Sequence, residues 1–263
     1  MRNRFLFLFA PFSFLLLISV SASSGQTTTP KPPFANRAGP QDPVKPSPST
    51  PTFKKAFVID DRLSVLRRKP DLQGEVIRRV RLGHVVFIVS TSKAPPREPR
   101  FYRVAVSRRT RGWIHEAALA VQGHPGEDQR ILKLIEGAEG TDRITLCRLL
   151  CQSFSRSRLV AHSMLLLGEE AERVAASLTQ RIRRRLGEVR DAVAAVRDYY
   201  LSDAGLDRYS KLGVAFDFNE STAEFVYDGK VYRDVIKLFP KSQEAAVARE
   251  RLGANAKKIS GRG

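Results

Sequence analysis

From Ala56 to Leu119 the chain alternates apolar and polar residues and breaks that alternation with turn residues, a pattern that commits the stretch to short strands. Ala56-Phe57-Val58-Ile59 opens it, Leu63-Ser64-Val65-Leu66 follows, and Pro70-Asp71 and Gly74 interrupt before Val76-Ile77-Arg78-Arg79-Val80-Arg81-Leu82. Past Gly83, Val85-Val86-Phe87-Ile88-Val89 has the β-branched content of a buried strand. A polar, proline-bearing loop from Ser90 to Arg100 leads into Phe101-Tyr102-Arg103-Val104-Ala105-Val106, and a turn through Arg109 to Gly112 leads into Trp113-Ile114. Short strands in so brief a stretch cannot cover both faces of an open sheet, so closure into a small β-barrel over 53–122 is expected.

What precedes the barrel reads as an export leader and a spacer. Arg2 and Arg4 stand before an apolar run from Phe5 to Val20, and Ser21-Ala22-Ser23-Ser24 supplies the small residues that signal peptidase requires. As a helix that run would span roughly 24 Å, short of the roughly 30 Å hydrocarbon core, so a cleaved leader over 1–24 is expected rather than a permanent anchor. Membrane contact is expected only through that leader if it stays uncleaved. No Cys lies near the cleavage region, which excludes a lipoprotein anchor. Residues 25–52 are rich in Pro, Ser and Thr and too poor in apolar surface to offset ordering entropy, so a disordered linker is expected there. Its Pro30-Lys31-Pro32-Pro33 and Pro48-Ser49-Thr50-Pro51 fit the Pro-x-x-Pro pattern that docks on aromatic grooves, although a barrel of this kind need not keep such a groove.

After Gln122 the apolar period changes from 2 to 3.6, and 123–263 reads as an α-helical bundle or solenoid. Ile131, Leu132, Leu134 and Ile135 make a first helix that ends at Gly137. Thr141 is the expected N-cap of a second, which buries Ile144, Leu146, Cys147, Leu149, Leu150 and Cys151. Ser157 to about Leu186 is one long helix or two pieces divided at Gly168, and Val189 to Leu201 is a further helix.

The barrel stretch resembles the bacterial SH3-like (SH3b) family. The resemblance lies in an ordered set: Leu63-Ser64-Val65-Leu66, then Val76-Ile77 through Leu82-Gly83 to Val85-Val86-Phe87, then Tyr102-Arg103-Val104, and the Gly112-Trp113-Ile114 close. Leu66 stands where the family usually has Arg, and Lys93 to Pro99 is an insertion. Near 222–253, Phe239-Pro240-Lys241-Ser242 followed by Ala245 and Ala248 looks like one helix-turn-helix unit of tetratricopeptide-like envelope proteins. No second copy occurs at the repeat interval, so a lone helical hairpin within a bundle fits as well. The expected fold is thus multidomain: a small all-β SH3-like barrel, then an all-α helical domain, behind a leader and linker.

Charge points to the class of partner. The net charge is +18, and 53–122 holds 16 Lys/Arg against 6 Asp/Glu, while 123–263 holds 24 against 20. So basic a small barrel would suggest nucleic acid in the cytosol. Export disfavours nucleic acid and leaves anionic surfaces, cell-wall polymer or an envelope protein. A solvated surface of an arginine-rich proteome explains the same composition. Tyr102, Arg103, Arg111 and Trp113 are the candidate contact residues, because aromatic and arginine side chains stack and bond bidentately. Against this, a tryptophan in a Gly-Trp-Ile close is more commonly a core residue. Arg181, Arg183, Arg184 and Arg185 spread around more than one helix face and read best as a solvated helix end.

Enzyme signatures are missing from the sequence. The only cysteines, Cys147 and Cys151, lie one helical turn apart, where a bridge would be strained, so two inert thiols are expected. His84, His115, His124 and His162 show no ligand spacing, and neither metal nor cofactor is expected. The Cys-His hydrolases that accompany such barrels carry their nucleophile at a helix start, whereas Cys147 lies inside a helix with no His-bearing strand after it. No Gly-x-Ser-x-Gly elbow, His-Glu-x-x-His or phosphate loop occurs. The reading is a non-catalytic exported envelope module whose barrel binds and whose helices scaffold. The alternative is a cell-wall hydrolase, or a degenerate relative of one, with a catalytic helical domain.

Overall fold

The computed structural model describes residues 53–93, 95, 98–186, 206–219 and 221–259. The expected leader at 1–24, the linker at 25–52 with its Pro-x-x-Pro segments, and the helix expected over Val189 to Leu201 lie outside the described residues.

Seven strands form one antiparallel sheet: β1 Lys54–Val58, β2 Val65–Arg67, β3 Val76–Arg79, β4 Val85–Thr91, β5 Phe101–Ala105, β6 Arg111–His115 and β7 Leu119–Val121. Their order is β3-β2-β6-β5-β4-β1-β7, with β3 and β7 at the two ends. Alternation places Ala56, Val58, Leu66, Val86, Val104, Ile114, Leu119 and Val121 on one face, where they form a buried cluster with Val80 and Ala118. Gly112 of the Gly-Trp-Ile close belongs to this face, and a Cβ there would lie 2.7 Å from Leu66 Cγ and 2.8 Å from the Arg67 carbonyl oxygen. The neighbouring strand therefore admits only glycine without shifting.

On the opposite face the same strands behave differently from one end of the sheet to the other. At β1 and β7 that face offers Phe57, Ile59 and Ala120, which are buried in a second cluster built mainly from helices. β1 is thus apolar on both sides, serving one cluster with Ala56 and Val58 and the other with Phe57. The joint carries polar fastenings as well. Arg130 Nη2 donates to the carbonyls of Ala117 and Leu119, both at 2.8 Å, and Gln122 Nε2 donates to the Ser153 carbonyl at 3.4 Å.

The helices are α1 Glu127–Gly137, α2 Gly140–Ser153, α3 Val160–Leu186, α4 Leu206–Lys211, α5 Lys230–Leu238 and α6 Gln243–Ile259. α3 is continuous through Gly168, where a Cβ would fall 2.3 Å from the ring of the fully buried Tyr232. Glycine at this point brings α5 onto α3. The N-cap of α2 is Glu139 and makes no side-chain cap bond, which corrects the expected Thr141 cap. The orphan Gly140 N–H instead donates to Glu170 Oε1 of α3 at 2.7 Å. The buried Glu170 carboxylate also faces Arg173 at 2.7 Å and Arg143 at 3.8 Å, so a tertiary ion cluster does the capping.

The expectation of an all-α segment over 123–263 needs correction. Phe216–Asn219 (β8) and Glu224–Tyr227 (β9) pair as an antiparallel hairpin. Phe216-Asp217-Phe218-Asn219 and Glu224-Phe225-Val226-Tyr227 carry the aromatic and β-branched residues that strands favour. Asn219 Oδ1 organises the turn by accepting from Ser221 N at 3.0 Å and Ser221 Oγ at 2.7 Å. The hairpin packs on α3, where Phe225 N donates to Thr179 Oγ1 at 2.9 Å. The helical hairpin expected near 222–253 begins only at Lys230, with Tyr232, Val235, Ala245 and Ala248 buried between its arms and α3. Ser242 Oγ accepts from Ala245 N at 3.1 Å and so caps α6.

Candidate functional site

The seven strands contain seven Lys/Arg and no Asp or Glu. Every carboxylate between positions 53 and 122 sits in a connection between strands, including the short helical turn at Glu116–Ala118. Charge in the sheet is therefore segregated by element.

Strand register shows how these cations are grouped. Trp113 of β6 lies opposite Arg67 of β2 on one side and opposite Arg103 of β5 on the other. Cross-strand partners share a face, so Arg67, Trp113 and Arg103 form a row across three strands, with the arginine Cα atoms about 10 Å apart at two strand spacings. A second row runs Arg111, Ala105, Phe87 and Lys55 across β6, β5, β4 and β1. Both rows lie on the face away from the all-sheet cluster. Arg103, Arg111 and Phe87 are exposed, and Trp113 is partly exposed and belongs to neither apolar cluster.

Among the described residues neither Arg103 nor Arg111 makes an ion pair, and Trp113 makes no ring or cation contact. Arg67 is held in place, with Nη1 donating to the Gly74 carbonyl at 2.7 Å. Lys55 Nζ lies 5.1 Å from the centroid of Phe57. Phe101 and His115 close one end of the face with an edge-on contact at 5.4 Å, and His115 Nδ1 accepts from Ala117 N at 3.1 Å. The arrangement offers planar cations on both sides of an indole, suited to anionic groups flanking an apolar or ring-shaped unit.

Three of the four residues singled out from the sequence, Arg103, Arg111 and Trp113, thus share this face. Tyr102 does not. It pairs with Ile114 and packs against the all-sheet cluster, half-buried. Burial raises its phenol pKa, with the Glu116 and Glu127 carboxylates adding to the effect. Arg67 and Phe87 were missed, and each is a strand residue whose parity matches that of Trp113 or Ala105 across a neighbouring strand.

Elsewhere, Cys147 is buried and Cys151 half-buried, and both are free thiols. Desolvation pushes the Cys147 thiol up to about 12 despite a hydrogen bond from Ser163 that opposes it, and it raises Cys151 as well. No cluster of three or more His, Cys, Asp or Glu among the described residues could hold a metal ion. No described helix is long and apolar enough to cross a membrane. A cleft of about 280 Å³ lies between α3, β9 and α6, with Arg183 and Glu224 joined across it at 2.5 Å. Of the arginine group on α3, Arg183 is thus tied to the hairpin, whereas Arg181 donates back to its own helix at the Ser177 carbonyl. No protein-family model, curated protein or solved structure matches this chain.

Proposed function

We propose that this chain is an exported, non-catalytic envelope protein, in which the sheet curls into an SH3-like barrel left open at β3 and grips an anionic cell-wall polymer or envelope partner. The helical part, with its tetratricopeptide-like hairpin, is the scaffold that presents this surface. The observation that carries the reading is the pair of rows across β2, β6, β5, β4 and β1, where Arg67, Trp113 and Arg103, and then Arg111, Phe87 and Lys55, share one face with no carboxylate in any strand of the seven-stranded sheet. A surface that merely kept the protein soluble would intersperse both signs of charge. Here the positive groups stand unopposed beside Trp113 and Phe87, as a contact surface for a polyanion requires.

The test is to incubate the mature protein with purified sacculi and to measure both pelleting and release of soluble fragments, in low and in raised salt. Pelleting that weakens with salt and releases no fragments supports the proposal. Release of fragments identifies a wall-lytic enzyme instead, and the absence of both excludes the wall as the partner.

A further inference from the structure

The two ends of the sheet are treated differently. At β7 all three residues are buried, and α1 lies alongside with Arg130 donating to the Leu119 carbonyl. At β3 nothing among the described residues pairs on the outer side, and all four residues are exposed, with Val76 at 53% and Ile77 at 40%. The Val80 N–H donates to the Ser64 carbonyl. In an antiparallel ladder the next residue along, Arg79, then turns its own N–H and C=O away from β2. Among the described residues the Arg79 carbonyl accepts only from Arg78 Nε, at 3.4 Å. An open edge with exposed β-branched residues and outward backbone groups is a template for another strand.

Charge decides which strand. Arg78 and Arg79 lie in β3, Arg81 follows, and Arg67 and Arg68 stand on β2 or just beyond it. Among the described residues only Arg68 of this group has an ion partner, Glu75 at 2.8 Å. Two copies of β3 laid edge to edge would gather Arg78, Arg79 and Arg81 of both chains along one seam, so the same residues that disfavour self-association select an acidic guest. We propose that β3, with its Val76-Ile77 and Arg78-Arg79 pairs, is a docking edge for an extended acidic peptide in which adjacent glutamates or aspartates follow adjacent apolar residues, and which adds as an eighth strand. The backbone of Arg79 supplies hydrogen bonds, Val76 and Ile77 meet the apolar side chains, and the arginines meet the carboxylates. This site meets the Trp113 row at Arg67, which lies between Val76 and Trp113, but it does not depend on the polymer reading.

The test uses the whole protein and a short acetylated peptide in which pairs of valines and pairs of glutamates follow one another. A second version of the peptide is N-methylated at alternate residues, which removes backbone donors and keeps the charge. Binding is followed by calorimetry, and amide hydrogen exchange reports which strand is covered. The expected result is slowed exchange confined to Val76–Arg79 and its partner β2, with about a tenfold or greater loss of affinity on N-methylation. The Arg78→Gln Arg79→Gln protein should bind the unmethylated peptide more weakly and with a shallower salt dependence. Equal affinity for both peptides would reduce the effect to unspecific charge attraction and overturn the proposal, as would protection elsewhere on the sheet. A concentration-dependent dimer protected at β3 would give the edge to a second copy and overturn it equally.

Discussion

One face of a single sheet meets two environments, and the residues that alternation puts there differ accordingly. At the β1 and β7 end the outward positions past the exposed Lys55 are Phe57, Ile59 and Ala120, and helices cover them. At the β2, β6 and β5 end they are Arg67, Arg103, Arg111 and Trp113, and among the described residues no apolar cluster takes them in. The backbone and the pairing rules are the same throughout. Side-chain chemistry changes where the helical footprint stops, and the stretch beyond that limit is the proposed contact surface.

The comparison breaks most visibly at Phe57. Phe57→Ala empties the joint between sheet and helices and should cost about 3–5 kcal/mol in chemical denaturation. A loss as small as that of a surface substitution would mean that the helices do not rest on β1. Alkaline pH sharpens the contrast through Cys147 on the covered side. Its thiol pKa lies near 9 when unfolded and is raised to about 12 by burial. The native state therefore holds the proton that the unfolded chain releases. That contribution is complete below pH 9 and should fall by on the order of 1 kcal/mol per pH unit until about pH 12. Denaturation midpoints across that range, compared with those of Cys147→Ala, isolate the effect. Tyr227 and Tyr232, also raised by burial, act in the same direction at higher pH.

Gly112→Ala tests the face that the sheet keeps to itself. The new Cβ meets Leu66 and the Arg67 carbonyl, and overpacking of this kind should cost about 1–3 kcal/mol by thermal or chemical unfolding. Smallest of all should be Arg103→Gln and Arg111→Gln on the open end, each within about 0.5 kcal/mol of the parent in stability. Their effect should appear in binding instead. A large stability loss there would place these arginines in the architecture rather than at a contact surface.

Much of the sheet was legible because alternation is a local signal, and Val85 to Val89 or Phe101 to Val106 announces a strand without reference to anything distant. The β8 and β9 hairpin was as well marked by its aromatics, but each arm is four residues long and was absorbed into the helical pattern around it. The cap of α2 was not legible, since Glu170 reaches Gly140 from thirty positions away. For the candidate site, residue type pointed to Tyr102, Arg103, Arg111 and Trp113, yet parity already forbids Tyr102 and Arg103 from sharing a face. What sequence could not supply was register: only the pairing of Trp113 with both Arg67 and Arg103 assembles the row.

The most direct test of the central claim is the salt dependence of binding to a purified anionic polymer such as polygalacturonate, for the parent protein and for Arg103→Gln, Arg111→Gln and the double variant. The account predicts that the slope of log affinity against log salt concentration falls by about one for each arginine removed, because each releases its own counterion. Slopes and affinities unchanged in the double variant, with the fold intact, would contradict it.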